Sequence, residues 1–431
     1  MHYLQNLGVD AWLTLVVVLV ILIGLVREWL GPDVLLTGGV TALTIAGVLD
    51  VNEAFAGFAN HGVLAVAGLF VVARAVENSG ALDRLTRWLL ESDRDGKPPS
   101  ESGATLRVML ATAGVSSVLN NTPVVAMLAP AVRRFAIERG LAPKRLLIPV
   151  SYAAMLGGMC TIVGTSTNLV VAGMMENVGM ESFGVFELAE LGLPIAIVCI
   201  AFMTVFGARL LPGTVEPAGD APAVTPKPSP TRARPGLLGQ PASVLTVMAL
   251  MIVIPACTSV PLVVAVFGAA VVLLLGKAIS PREARRSLDV EVFVTIAMAF
   301  GLGTAMTESG LAAAVGQLIL APAAPLGPLA VFAAVFIVTS LFTQMITNNA
   351  AAVLMFPIVT TVAADLGMDP RRMLIVVTVA ASCSFATPLG YQTNMMVAKL
   401  GDYRFVDFVR AGVGMNVAAL LATLLVVGLF W

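Results

Sequence analysis

The sequence predicts an all-α polytopic membrane protein arranged as an inverted repeat, with five spans and one re-entrant hairpin per half and with helices broken near the membrane midplane. Three observations predict it. Hydrophobic residues fill 58% of the 431 positions and charged residues only 12%, with a mean hydropathy of +0.93. A soluble domain carries about 25% charge, so a water-soluble globule of this size would have no solvated surface. Unbroken apolar runs recur at close to the ~20 residues that cross a hydrocarbon core, whereas an outer-membrane barrel alternates apolar and polar residues in runs of about ten. Finally, a set of polar-tipped segments in the first half returns in order in the second. The net charge of −1 and the lack of a basic tract argue against a nucleic-acid-binding protein, and the composition argues against a disordered one.

The spans follow in order. Ten full crossings are expected near 11–28, 34–50, 61–78, 146–175, 188–211, 242–258, 260–278, 290–307, 371–398 and 411–431. Residues 1–10 contain no Lys or Arg, so the first run is expected to stay in the mature protein rather than act as a cleaved signal. The runs at 146–175 and 371–398 are too long for one crossing and are interrupted by Gly- and Asn-containing polar stretches. Two further apolar segments, 104–138 and 328–365, each read as two runs of about 15 residues joined by a polar tip. The tips are Asn120-Asn121-Thr122 and Thr347-Asn348-Asn349. Runs that short suggest half-helices that enter the membrane and turn back. The stretch 82–102 is charged and interfacial. The stretch 212–241 holds eight prolines and reads as an extended linker between the halves. The expected organisation is therefore an N-terminal repeat over 1–211, a Pro-rich linker over 212–241, and a C-terminal inverted repeat over 242–431.

The repeat is legible at four places. Ser116–Thr122, SSVLNNT, aligns with Thr343–Asn349, TQMITNN. Pro130 aligns with Pro357, and Pro143-Lys144-Arg145 with Pro370-Arg371-Arg372. Gly164-Thr165-Ser166-Thr167-Asn168 aligns with Gly390-Tyr391-Gln392-Thr393-Asn394. Four matches in order, with at most one residue of slippage, argue for duplication. Charge then orients the chain. Of the 25 Lys and Arg residues, only Arg371 and Arg372 fall on one side of these spans. The basic side is expected to be cytoplasmic, the linker with it, and both termini external. An odd number of spans per half gives the halves opposite orientations, which is the architecture of secondary transporters of the cell (inner) membrane.

Irregular backbone at membrane depth is tolerated where it is buried in protein or lines a polar cavity. The chain offers four such places, the two tips and the two helix breaks, and these form the candidate site: Asn120, Asn121, Thr122, Thr165, Ser166, Thr167, Asn168, Thr347, Asn348, Asn349, Tyr391, Gln392, Thr393 and Asn394. Amide, hydroxyl and freed carbonyl oxygens are hard ligands suited to sodium, and helix N-termini aimed at the same space favour an anion. Thr122 ahead of Pro123 reads as a helix cap with proline at the first helical position. Each of these Asn and Thr residues also has a purely structural reading, as a cap or as glue between helices. Glu77 and Glu308 are expected to be helix-end caps. With no carboxylate in the middle of a span, a proton relay is disfavoured. With only His2 and His61 as histidines and four scattered cysteines, so is a metal centre or a membrane enzyme. No organic cofactor is expected.

Four segments, SSVLNNTPVVAM, SYAAMLGGMCTIVGTSTNLVV, FTQMITNNAAAVLMFP and SFATPLGYQTNMMV, resemble the divalent anion:sodium symporter family, of the solute carrier family 13 type. The resemblance covers nearly the whole chain. It implies two opposed hairpins, two sodium sites with a dianion between them, a homodimer in the lipid bilayer and elevator-type movement. By position, Ser116, Asn121 and Gly164 would form the first sodium site. Thr343, Ile346 (through its carbonyl), Asn348 and Gly390 would form the second. The family's Ser-Asn-Thr tip falls on Asn120-Asn121-Thr122 and on Thr347-Asn348-Asn349, neither intact. Dicarboxylate members usually carry a Pro-Pro-Asn element after each break. Ser166-Thr167-Asn168 and Gln392-Thr393-Asn394 are instead similar to the sulfate-permease-like branch. The expectation is sodium-coupled symport of a divalent oxyanion, sulfate first. The alternatives are a dicarboxylate carrier of the same fold, a sodium/proton antiporter or an arsenite exporter.

Overall fold

The computed structural model describes residues 8–27, 29–81, 100–211, 213, 238 and 240–431. Most of the 82–102 and 212–241 stretches, and His2, lie outside them. Every regular element among the described residues is helical. In chain order the helices are α1 (Val9–Val26), α2 (Pro32–Ile45), α3 (Val51–Phe55), α4 (His61–Ser79), α5 (Glu101–Ser116), α6 (Asn121–Glu138), α7 (Lys144–Gly158), α8 (Ser166–Asn177) and α9 (Ala189–Leu210). The second half continues with α10 (Pro241–Cys257), α11 (Leu262–Leu275), α12 (Pro281–Ser287), α13 (Val290–Glu308), α14 (Leu311–Ile319), α15 (Pro328–Met345), α16 (Asn348–Leu366), α17 (Pro370–Ala381), α18 (Gln392–Gly401) and α19 (Phe405–Phe430).

Among the described residues seven helices or helix pairs are long and apolar enough to cross a membrane by length and composition. The lipid-facing character is visible in α1, α9 and α19, where Leu19, Val20, Ile197, Val205, Leu421 and Leu425 are exposed. In a soluble protein such a surface would aggregate. Helices α2 and α11 have 14 residues each. At 1.5 Å per residue that is about 21 Å, short of the ~30 Å core, so neither is by itself long enough to span it.

The structure corrects three local expectations. The hairpin arms are longer than half-helices: α5 and α6 have 16 and 18 residues, α15 and α16 have 18 and 19. In each hairpin the first arm stops before the tip, at Ser116 and Met345, and the second starts inside it, at Asn121 and Asn348. Thr122 therefore lies inside α6 and is not a cap. Helix α6 starts at Asn121, Asn120 occupies the cap position without a side-chain bond, and Pro123 sits one turn in. Proline is tolerated there because the first-turn N–H groups have no intrahelical acceptor. Glu77 is not the terminator of α4. Its side chain pairs with Arg74 at 2.8 Å, and the helix ends in the left-handed Gly80, φ 71°. The two over-long runs break as expected, between Gly158 and Ser166 and between Ala381 and Gln392.

Helix-end contacts sort into two groups. At one end Asn60 bonds Gly173 O and Asn177, both at 2.9 Å. There Arg371 clasps Glu187 through two bonds of 2.5 and 2.7 Å and reaches the carbonyls of Glu181 and Ser182. Arg372 bonds the carbonyl of Trp431 at 2.7 Å. The two arginines that stand apart from the basic side are thus structural clamps. At the other end Arg145 pairs with Glu101, and Lys144 bonds Asp402 O at 2.6 Å.

The core is one continuous apolar cluster, densest in α7 and α17, where residues 146–158 and 373–381 are all buried. These two helices lead to the breaks, so the irregular backbone is enclosed by protein on every side that is not the cavity.

Candidate functional site

The two tips and the two breaks meet at one cavity of about 910 Å³. Its inner wall holds Asn120, Thr122, Thr165, Ser166, Ile346, Thr347, Asn348, Asn349, Gly390, Tyr391 and Gln392. None of these side chains is ionisable except the tyrosine. Charged groups lie at helix ends along the other walls: Arg74 and Glu77 on α4, Glu283 and Arg286 on α12, Asp289, and Glu291 on α13. Arg74 there is half exposed, and this charged end is taken as the mouth; at the other end of α4 the capping Asn60 is buried and bonds to the end of α8.

Each break is braced the same way. Asn168 Nδ2 donates to Gly158 O at 2.9 Å and Thr161 O at 2.7 Å. Asn394 Nδ2 donates to Ser384 O at 2.7 Å and Thr387 O at 2.9 Å. Each break is also tied to its own hairpin: Thr161 Oγ1 donates to Ser117 O, and Thr387 Oγ1 to Gln344 O at 2.7 Å. These two asparagines are fully buried and behind the cavity wall, with Thr393, whose Oγ1 is 2.8 Å from Ser151 Oγ. A freed carbonyl in a water-poor interior is costly, and one amide NH₂ satisfies two of them. The braces differ in one respect. Asn394 Oδ1 accepts from Ser151 Oγ at 2.7 Å, whereas Asn168 Oδ1 is buried without a partner.

The remaining polar groups cross between the halves. Thr122 Oγ1 meets Gln392 Oε1 at 3.1 Å, and Asn349 meets Ser166 Oγ at 3.3 Å. Asn121 Nδ2 donates to Tyr391 OH, which lies 3.2 Å from Thr165 Oγ1. Asn348 Nδ2 donates to Thr167 Oγ1, which is 2.7 Å from Asn349 Oδ1. Thr347 caps α16, accepting from Ala350 N at 3.4 Å.

Behind the first tip, Ser116 Oγ donates to Asn121 Oδ1 at 2.5 Å. A Cβ on Gly158 would lie 2.5 Å from that same oxygen, and a Cβ on Gly164 would lie 2.5 Å from Gly158 O. Behind the second, Ser384 Oγ donates to Thr343 O at 2.8 Å, and a Cβ on Gly390 would come within 1.9 Å of that carbonyl. Both clusters bring neutral oxygens close to glycines at which a Cβ would clash. Among the described residues no group of three or more His, Cys, Asp or Glu side chains suits a metal ion.

The sequence reading did not single out Thr161, Thr387, Ser384, Gln344 or Ser151. Thr161 and Thr387 carried a signal, since they recur at the same spacing as the aligned breaks. Ser384 stands where the first half has Gly158, so residue identity gave no cue. The charged mouth comes from helix ends distant in sequence.

Comparison with known proteins bears on the family and the fold. The chain is similar to sodium/sulfate cotransporter 1 of Chlamydomonas reinhardtii, 35% identical over 43% of this chain and 22% of that one. It is also similar to the sodium-dependent dicarboxylate transporter SdcS of Staphylococcus saprophyticus, 22% identical over 89% of this chain and 79% of that one. Its fold is similar to that of the crystal structure of the YdaH transporter of Alcanivorax borkumensis, with a TM-score of 0.60 at 17% identity, covering 90% of this chain and 87% of that one. The profile of the citrate transporter family, CitMHS, matches residues 17–380. With a fold that is helical throughout the described residues and a polar cavity between two hairpin tips, the chain is an integral multi-pass membrane transporter and belongs to the citrate transporter family.

Proposed function

We propose that this protein is a sodium-coupled symporter of a divalent oxyanion, sulfate first, with its cavity open to the cytoplasm. The carrying observation is the make-up of the inner wall: hydroxyls, amides and the helix starts at Ser166, Asn348 and Gln392, with no fixed cationic side chain. A dianion there is stabilised by helix N-termini and needs cations for the rest. The two neutral oxygen clusters behind the tips are the candidate sodium sites: Ser116, Asn121 and Gly164, and Thr343, Ile346, Asn348 and Gly390. The coupling ions are carried, not resident. The names of two relatives, a sodium/sulfate cotransporter and a sodium-dependent dicarboxylate transporter, support sodium and an anion.

The basic side is read as cytoplasmic, which makes the cavity mouth inward-facing and the Asn60 end external. On this reading the two halves, 1–211 and 242–431, are inverted repeats joined by a cytoplasmic linker. The matched braces on Asn168 and Asn394 support the duplication. Membrane lipid and a second copy of the chain are the expected partners.

A dicarboxylate or citrate carrier is the second reading, favoured by the family profile and by a cavity larger than sulfate alone requires. Uptake of labelled sulfate into proteoliposomes with an inward sodium gradient, competed by succinate and by citrate, tests both. Sodium-dependent sulfate uptake that resists both competitors is expected. Succinate or citrate uptake without sulfate uptake would replace sulfate in the assignment, and sodium-independent transport would reject the symport mechanism.

A further inference from the structure

We infer that two hydroxyls, Tyr391 OH and Thr167 Oγ1, are positioning groups that orient the candidate cation-site asparagine of the opposite half, so that each half presets the other's sodium site. The inference rests on the cation-site reading above and goes beyond it, because neither residue belongs to the ligand set it would preset.

The polarity of the hydrogen bonds carries the argument. An amide NH₂ can only donate, so Tyr391 OH accepts from Asn121 Nδ2 and has one proton left, with Thr165 Oγ1 3.2 Å away to take it. The Asn121 amide is thereby turned so that Oδ1 faces its own hairpin. There it meets Ser116 Oγ at 2.5 Å, against the glycine-lined space at Gly158 and Gly164. Asn348 is held alike. Its Nδ2 donates to Thr167 Oγ1, and the threonine proton goes to Asn349 Oδ1 at 2.7 Å. In both cases the accepting hydroxyl lies on the far break, 270 residues away for Asn121 and 181 for Asn348.

The two hydroxyls are not repeat equivalents. Tyr391 aligns with Thr165, and Thr167 with Thr393. The second half therefore uses a long aromatic side chain from the position before α18, while the first uses a short one from inside α8. The same polarity is reached by different residues. Tyr391 is the large side chain in a wall of Asn, Thr, Ser and Gly, and its hydroxyl reaches both the first tip and the first break. A cation ligand must present oxygen, not NH₂, and an amide free to flip presents the wrong end part of the time. Fixing it in advance removes that cost from cation binding.

The test is the sodium activation curve of transport in proteoliposomes, measured beside the half-saturating anion concentration at saturating sodium. Tyr391→Phe keeps the ring and removes only the hydroxyl; Thr167→Val keeps the shape. Each is expected to raise the half-saturating sodium concentration about fivefold, the equivalent of one hydrogen bond, and to move it by more than the half-saturating anion concentration at saturating sodium. Thr167→Ser, which retains the hydroxyl, restores the sodium curve. Asn121→Ala run in parallel separates the two levels. If it leaves sodium activation unchanged, the cation-site reading itself fails. If Asn121→Ala shifts the curve while Tyr391→Phe and Thr167→Val do not, the positioning role is overturned. A rise confined to the anion parameter overturns it as well, in favour of direct anion contact. Monodispersity on size exclusion checks folding, and a variant that fails it is replaced by Tyr391→Trp or Thr167→Ala for the same measurement.

Discussion

Replacing Asn394 by Ala should destabilise the protein more than the same change at Asn168, although the two residues align and brace equivalent breaks. Asn394→Ala removes three bonds of 2.7, 2.9 and 2.7 Å: two to the carbonyls of Ser384 and Thr387, and one from Ser151 Oγ. Asn168→Ala removes two, of 2.9 and 2.7 Å, and also deletes a buried acceptor that has no partner. Hydrogen bonds inside membrane proteins average about 0.6 kcal/mol, and a buried polar group left unpaired costs about 1–3 kcal/mol. Both substitutions strand two carbonyls, so that part cancels. The difference is one further bond and the relief of the orphaned oxygen at Asn168, since Ser151 Oγ keeps Thr393 Oγ1 as a partner. Together these amount to about 1–3 kcal/mol in favour of the Asn168 variant. Asn→Asp at either position should be worse than Asn→Ala, because a carboxylate oxygen would then face two carbonyls. The assay is reversible unfolding in mixed micelles of detergent and SDS, read by tryptophan fluorescence, with both alanine variants measured against the parent. Equal midpoints for the two, or a less stable Asn168→Ala, would refute the hydrogen-bond argument and leave the braces as simple space-fillers.

Further expectations follow from particular contacts. Gly390→Ala sets a methyl 1.9 Å from Thr343 O and 2.1 Å from Ser384 Oγ, so transport activity should fall at least tenfold. Gly268→Ala, where no atom lies within 4 Å, is the matched control for expression and activity. Arg371→Lys should lower stability by about 1–3 kcal/mol, since an ammonium cannot reproduce two bonds to Glu187 and two to carbonyls; an unchanged unfolding midpoint would make the clamp ornamental. In a background with Cys160, Cys199, Cys257 and Cys383 replaced, Met180→Cys should react with an impermeant thiol reagent in intact cells and Lys227→Cys should not; the reverse pattern overturns the orientation. Moving a dianion inward against 100 mV costs about 4.6 kcal/mol, at about 2.3 per charge, so substrate-evoked current in proteoliposomes should be zero or carry positive charge inward. Net inward negative charge would exclude coupling to two or more sodium ions.

By itself the sequence determined the class and the identity of the four irregular places, and it is the source of the expected duplication. Those follow from local and periodic properties: an apolar share too high for water, Asn and Gly interrupting runs that otherwise cross a membrane, and the recurrence of SSVLNNT as TQMITNN. The polar tips do interrupt the helices, and what the sequence left open was that Asn121 and Asn348 open the outgoing arm of each hairpin and bond sideways to the other half. Only the tertiary structure decided which polar atoms face the cavity and which hold the backbone. Asn168 and Asn394 read from sequence as members of the same site as Asn121 and Asn348, but their amides are spent on break carbonyls behind the wall. The cross-half pairs, the buried Asn60 contact and the charged mouth were equally invisible. Each joins residues far apart in the chain, and a hydrogen bond's partner depends on where two backbones approach within about 3 Å, which no local pattern encodes.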